Sequence, residues 1–170
     1  ALIMFTDTPL VTADTLTRLA SSIDTATSVA VLGFETTDPH GYGRLVIDDN
    51  GHLTRIVEDK DANKDEHSIT LVNGGIMAVR CPLLFDLLNQ VQINSKNGEI
   101  YLTDIIALAS QNGQKVSYQL ADESEIAGVN DRVDLAHLGA ILQRRLRNVA
   151  MQQGATLIAP NTVFLSADTI

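Results

Sequence analysis

A chain of 170 residues can bury a real core, and the 45% of apolar residues that would fill it are almost all aliphatic, because aromatics make up 4% and tryptophan is absent. The 12 basic and 21 acidic side chains leave a formal charge of −9, which excludes a general nucleic-acid surface, since that needs a basic patch. One cysteine, Cys81, excludes an internal disulfide and suits a reducing cytoplasm, and no apolar run reaches ~18 residues, so neither nucleic acid nor membrane is an expected partner.

Residues 1–5 (ALIMF) form a short continuous apolar run, as expected of a strand buried on both faces of a parallel sheet. No signal peptide opens the chain, and a start at Ala1 inside an apolar run gives the expectation of a removed beginning. The run ends at Thr6-Asp7-Thr8-Pro9. Ligands gather at the carboxyl ends of strands in open α/β sheets, so Asp7 is placed to hold a metal. The plainer alternative is that it caps a helix over residues 11–21 or closes the turn before Pro9.

Thr27 to Phe34 (TSVAVLGF) is a second strand of the parallel set, followed by a polar loop to His40. Gly41-Tyr42-Gly43-Arg44 reads locally as a tight turn. RLVID, the turn Asp49-Asn50-Gly51 and HLTRIVE make a hairpin, which leaves Asp48 and Asp49 as solvated turn residues. Glu58 ends the second arm, where a glutamate is ordinarily just exposed. A charged loop (KDANKDEHS) leads to ITLVNGGIMAV, in which Asn73-Gly74 alone suggests a type I′ turn. Residues 82–91 place Leu83, Leu84, Leu87, Leu88 and Val91 on one helical face, with Pro82 at its start.

After the loop NSKNG, Thr103 or Asp104 is a natural cap for a helix running through Ser110. KVSYQLA is a strand, and an acidic bend (DESE) follows. Asn130 reads as the N-cap of a helix from about Arg132 to Gln153, with Val133, Leu138, Ile141, Leu142 and Val149 as its apolar stripe. Arg144, Arg145 and Arg147 read as its solvated face, and Gly154 as its C′ stop.

Five motifs in register carry a resemblance over nearly the whole chain: TDTPL (6–10), GYGR (41–44), IVEDKDA with the following NGGI, GEIYLTD (98–104) and GVNDR (128–132). Together they resemble the bacterial N-acetylglucosamine-1-phosphate uridyltransferases, bifunctional with a glucosamine-1-phosphate acetyltransferase. The resemblance implies a Rossmann-like nucleotide-diphospho-sugar transferase domain of the α/β class, with a mixed, mostly parallel sheet (residues 1–131). It further implies a long linker helix (132–153) and the start of a left-handed β-helix (154–170). The family's first ~95 residues and its acetyltransferase domain have no counterpart here.

The family's reaction joins UTP to N-acetylglucosamine 1-phosphate, giving pyrophosphate and UDP-N-acetylglucosamine, a cell-envelope precursor made in the cytoplasm. Carried over by motif, Asp7 and Asn130 become the catalytic metal ligands for Mg²⁺, and Phe5 and Thr6 line the nucleotide. Gly43, Glu58, Asn73, Tyr101 and Thr103 then surround the amino-sugar. Phe5, Thr6, Gly74 and Ile100 depart from the family's usual Tyr, Gly, Thr and Tyr, and Gly74 is expected to loosen the pocket. Full-length members are expected to be homotrimers through the β-helix domain.

One carboxylate and one amide suit Mg²⁺, which keeps waters and takes phosphate oxygens. The family's glycine-rich phosphate loop has no match in these 170 residues, so the chain alone is expected to be inactive toward UTP. Two other readings stand beside this one. The first is a non-catalytic family member that binds sugar phosphate or serves assembly, and the second is a pyrophosphorylase for another sugar nucleotide.

Overall fold

The computed structural model describes residues 1–94, 98–166 and 168. Two compact units divide them: Ala1–Thr6 with Val11–Ile126, and Asp7–Leu10 with Ala127–Ile170.

The first unit is built on one sheet of six strands: β1 Leu2–Ile3, β2 Thr27–Glu35, β3 Arg44–Ile47, β4 Leu53–Val57, β5 Leu71–Val79 and β6 Lys115–Leu120. The order is β4-β3-β5-β2-β6, with β1 also paired to β5. The sheet is mixed, as expected. Among the described strands only β2 and β6 run parallel, however, so the expected parallel majority is not present in this part of the sheet. The reason is local. The hairpin β3–β4 and the return through β5 reverse direction by short connections, and a parallel pair needs a crossover.

β5 is the axis of the unit. One edge pairs with β2 from Val79 back to Leu71. The other edge is shared: β3 joins at Val72, and β1 at Met77 and Ala78. The strand runs straight through Asn73-Gly74, so the type I′ turn suggested by that dipeptide does not form. β1 is shorter than expected and not buried on both faces, since Leu2, Met4 and Phe5 are 43%, 43% and 52% exposed. Its one partner among the described strands is β5, which leaves its outer edge open.

Side-chain alternation on β2 explains the layering. Val29 and Val31 point into an aliphatic core with Leu84, Leu87, Ile105, Ile106 and Ala109, from helices α2 (Cys81–Leu88) and α3 (Asp104–Gln111). Ala30, Leu32 and Phe34 point the other way. They meet Leu19 of helix α1 (Ala13–Ser21) and Ile126 of the short helix α4 (Glu123–Ile126). The sheet is thus covered on both faces. Of the expected stripe on α2, Leu84 and Leu87 are buried while Leu88 is 40% exposed, because the helix ends there and Val91 lies beyond it. Helix α1 is capped by Thr12, whose hydroxyl accepts from the Thr15 N–H at 3.2 Å, and the capping role considered for Asp7 falls away.

In the second unit, helix α5 (Arg132–Gln152) buries Leu138 and Ile141 against Leu10. Val133, Leu142 and Val149 of the expected stripe are 76%, 39% and 39% exposed; only one turn of the helix faces that core. Its N-cap is Asp131, not Asn130: one Asp131 carboxylate oxygen accepts from Val133 N at 2.7 Å and Asp134 N at 2.9 Å. Arg145 and Arg147 are not simply solvated. They donate to the Leu10 and Val163 carbonyls at 2.8 and 3.0 Å. Gly154, at φ 103°, closes the helix as expected, with Gly154 N bonding Met151 O and Ala155 N bonding Ala150 O, both at 3.0 Å. Beyond it the described backbone includes the 3₁₀ turn Pro160–Thr162, and the β-helix start remains a proposal.

Gly75 combines two demands. Its φ is +76°, and a Cβ there would sit 2.5 Å from Cδ2 and Cε2 of the Phe5 ring. Gly75→Ala is therefore expected to destabilise the fold by about 2 kcal/mol or more, of which the left-handed backbone alone accounts for about 1–2 kcal/mol. Urea unfolding of Gly75→Ala and of the Phe5→Ala/Gly75→Ala pair separates the two parts. A double variant as stable as Phe5→Ala alone would show that the backbone strain is absent.

Candidate functional site

Four of the five residues expected around a sugar come together in the first unit, from four separate segments. Gly43 lies in the turn before β3, Glu58 just after β4, Asn73 in β5, and Thr103 at the start of α3. The Gly43 carbonyl accepts from Asn73 N at 2.7 Å. A Cβ on Gly43 would lie 2.8 Å from Ile56 Cγ2, 3.5 Å from Glu58 Oε2 and 3.7 Å from Asn73 Cβ. Only glycine lets the main chain come this close. Thr103 Oγ1 donates to Glu58 Oε1 at 2.6 Å and makes no side-chain bond to its own helix, so the capping alternative for Thr103 gives way to a role in holding Glu58.

Asn73 uses its side-chain oxygen to accept from Gly75 N at 3.0 Å. Its amide NH₂ has no hydrogen-bond partner among the described residues and is the group it can offer a ligand. Gly74 does not loosen this pocket, contrary to expectation. A Cβ there would point to Leu32 O at 2.9 Å and Ile126 Cγ2 at 3.1 Å, on the opposite face of β5 from Asn73.

Tyr101 lies two residues before Thr103, in the segment that leads into α3. Its hydroxyl donates to Glu99 Oε2 at 2.8 Å, and Lys60, ion-paired to the same oxygen, lies 5.3 Å from the ring centroid. Lys60 is held above its ordinary pKa chiefly by its hydrogen bond to Glu99, and Glu99 below its own by Lys60. Phe5 packs its ring over Gly75, and Thr6 is exposed at the end of that segment. Burial raises the pKa of Asp104, with the nearby Glu58 and Asp61 carboxylates adding to the effect.

Sequence reasoning missed the pair beneath this cluster. Arg44, 2% exposed, donates to Asp59 Oδ1 at 2.7 Å and to the Tyr42 carbonyl. Asp59 Oδ2 accepts from Gly41 N at 3.0 Å. A signal was available, since an arginine opening an apolar strand must find an acid, and Asp59 follows by two residues Val57, the residue opposite Arg44 across the hairpin. Asp48, by contrast, behaves as expected. It closes the β3–β4 turn by accepting from Asn50 N and His52 N at 2.9 and 2.8 Å.

The second unit holds both residues expected to bind metal. The Asp7 carbonyl accepts from Val129 N at 2.8 Å, which sets the Asp7 segment alongside Gly128-Val129-Asn130. A Cβ on Gly128 would be 4.0 Å from Asp7 Oδ2, so the missing side chain leaves space beside that carboxylate. Both side chains are exposed, and Asn130 N is tied to Asp134 Oδ2 at 2.9 Å, the bond that chiefly lowers the Asp134 pKa. No group of three or more His, Cys, Asp or Glu among the described residues suits a metal ion. A carboxylate and an amide on neighbouring segments fit a cation whose other ligands are waters and phosphate oxygens, and do not fit a closed protein cage.

No family model matches the chain. A curated relative from Maricaulis maris (strain MCS10), named Bifunctional protein GlmU, is 47% identical over 169 residues, covering 99% of this chain and 37% of its own. Proteins of the same name from Nitrobacter hamburgensis and Xanthobacter autotrophicus are 42% and 47% identical, over 98% and 99% of this chain and 37% and 38% of theirs. These relatives bear out the resemblance read from the motifs, and the chain spans well under half of their length. A solved structure of a nucleoside-diphosphate-sugar pyrophosphorylase from Vibrio cholerae RC9 shares the fold, at TM-score 0.52 and 15% identity over 66% of this chain and 46% of that one. No helix among the described residues is long and apolar enough to cross a membrane.

The Asp59 carboxyl lies below its usual range because Gly41 N–H, then Arg44, favour its charged form. Its contribution to stability is therefore full above about pH 4 and fades as pH falls through the lower folded value. Asp59→Asn is expected to lose about 2–3 kcal/mol at neutral pH and progressively less in acid. Asp104 has the opposite sign: its raised folded pKa favours the protonated form, so Asp104→Asn should be stabilising at neutral pH and neutral near pH 3. Chemical unfolding from pH 3 to 7 tests both, and parallel curves for variant and parent would contradict them.

Proposed function

We propose that this chain supplies the sugar-binding and metal-binding portion of a nucleotidyltransferase that joins N-acetylglucosamine 1-phosphate to UTP. The observation that carries this reading is the convergence of Gly43, Glu58, Asn73 and Thr103 on one hydrogen-bonded cluster. The GlmU relatives and the fold shared with a sugar-nucleotide pyrophosphorylase support it as a sugar-phosphate nucleotidyl transfer.

Each residue has a task its chemistry suits. Glu58, steadied by the Thr103 hydroxyl, accepts hydrogen bonds from sugar hydroxyls. The Asn73 amide donates, and Gly43 brings main chain against the ligand, with Tyr101 closing the side of the pocket. Phe5 and Thr6 border the nucleotide. A phosphate oxygen of the sugar attacks the α-phosphorus of UTP, a new P–O bond forms, and the bond to pyrophosphate breaks. No protein nucleophile is required, so positioning and charge neutralisation carry the rate. Asp7 and Asn130 would hold Mg²⁺, which when bound offsets the charge on the phosphates. The division into a transferase part (1–131), a linker helix (132–153) and a β-helix start (154–170) belongs to the same proposal.

Calorimetric titration of the chain with N-acetylglucosamine 1-phosphate and Mg²⁺ is expected to show binding. Glu58→Ala should weaken it by about 10- to 100-fold, as for a charged hydrogen bond lost. Folded protein that takes up no sugar phosphate would sink the sugar reading. Mn²⁺ used as a paramagnetic probe should broaden the amide signals of Asp7 and Asn130, and Asp7→Ala should abolish this. Broadening that persists would place the metal elsewhere. Pyrophosphate release from UTP by the 170-residue chain is expected to be absent, because its sequence has no glycine-rich loop to cradle a triphosphate.

A further inference from the structure

Glu58 and Asp59 are adjacent carboxylates with different partners, and the second has no role in the reaction described above. Asp59 opens the 3₁₀ turn Asp59–Asp61 directly after Glu58. One of its oxygens accepts from Gly41 N at 3.0 Å and the other from Arg44 Nη2 at 2.7 Å. It thus grips both ends of the Gly41-Tyr42-Gly43-Arg44 turn. We propose that Asp59 is a positioning residue for the sugar pocket, holding this turn in the conformation in which Gly43 and Glu58 face one ligand.

The turn needs such a hold. Gly41 is at φ +84°, a conformation glycine adopts freely and abandons as freely, and two glycines in three residues make the unfixed segment floppy. Other restraints are the Tyr42 N to Pro39 O bond at 3.2 Å, which spans Gly41, the Gly43 O to Asn73 N bond, and the edge-on contact of Phe34 and Tyr42, with centroids 5.0 Å apart. Of these ties, the one from Asp59 is made to the Gly41 N–H itself. Arg44 makes the hold directional. It is 2% exposed, its Nε is buried with no hydrogen-bond partner among the described residues, and among them Asp59 is its one ionic partner. Removing Asp59 would leave a buried charge that the turn can relieve only by moving. His40 Nε2 and His67 Nδ1 stand 3.9 and 3.6 Å from the same carboxylate, too exposed to replace Arg44 as its anchor.

The role rests on the sugar-site reading, and the experiment tells the two apart. The affinity of the 170-residue chain for N-acetylglucosamine 1-phosphate is measured for the parent, Asp59→Asn, Asp59→Ala and the control Glu66→Gln. The control removes another ion pair of the same unit, Arg55–Glu66, whose arginine is exposed. Amide signals of residues 41–44 are followed in each folded variant. Asp59→Ala is expected to weaken binding by about tenfold or more, as the fraction of pocket in the competent form falls. The amides of Gly41 and Gly43 should become mobile in it. Asp59→Asn, which keeps an acceptor for Gly41, should lie between, and Glu66→Gln should bind as the parent does. Parent-like affinity and an ordered turn in Asp59→Asn overturn the role of Asp59 alone. A parent chain that does not bind the sugar phosphate overturns the sugar reading and this role with it. If Asp59→Ala does not fold, Asp59→Asn carries the test.

Discussion

Arg44 carries a charge it cannot shed, in a position 2% exposed, so an acid has to be brought to it. Asp59 is that acid, and its approach determines much of what surrounds the pocket. Because Asp59 must reach back across the β3–β4 hairpin, the chain turns sharply into a 3₁₀ turn after β4. Glu58 is left at the point of the turn with extended backbone. From there its carboxylate meets Thr103 at the start of α3. A buried ion pair of this kind adds little net stability, since the cost of drying two charges nearly offsets their attraction. Its effect is to allow only one arrangement.

The rest of the pocket is placed by regular structure. Asn73 is carried by β5, which is held along one edge by β2 and along the other by β3 and β1. Thr103 is carried by the first turn of α3, whose Ile105, Ile106 and Ala109 are sealed into the core below. Polar groups set on packed elements lose little freedom on meeting a ligand, because their order was secured in folding. The exception is the turn from Gly41 to Gly43, which lies outside regular structure and is held by backbone bonds to Pro39 and Asn73 and by the ties of Asp59.

In the second unit a different division of labour keeps a side chain at the surface. Asp131 takes over the capping of α5, so the neighbouring Asn130 is spared that work and stays exposed. Leu10, buried against Leu138 and Ile141, and the Arg145 bond to its carbonyl anchor the short segment that carries Asp7. Helix capping and apolar burial, both ordinary stabilising forces, thus leave a carboxylate and an amide exposed on neighbouring segments.

The sequence by itself determined the α/β class, the strands flanking the 48–52 turn, the amphipathic helices and the end of α5 at Gly154. These rest on local physics, namely period-two and period-3.6 patterning and the left-handed backbone that glycine tolerates. Its motifs also pointed to Gly43, Glu58, Asn73 and Thr103 before any contact between them was known. Only tertiary structure decided which of two adjacent polar residues does which job: Asp131 caps where Asn130 was expected to, and Thr103 holds Glu58 instead of capping α3. It also decided that Leu88 and Val133 face solvent and that the sheet here is largely antiparallel. Propensity assigns a residue type to a kind of position. Which neighbour then satisfies its charge or hydrogen bond depends on segments distant in the chain, as the Arg44–Asp59 pair shows, and that choice exists only once the sheet has closed around it.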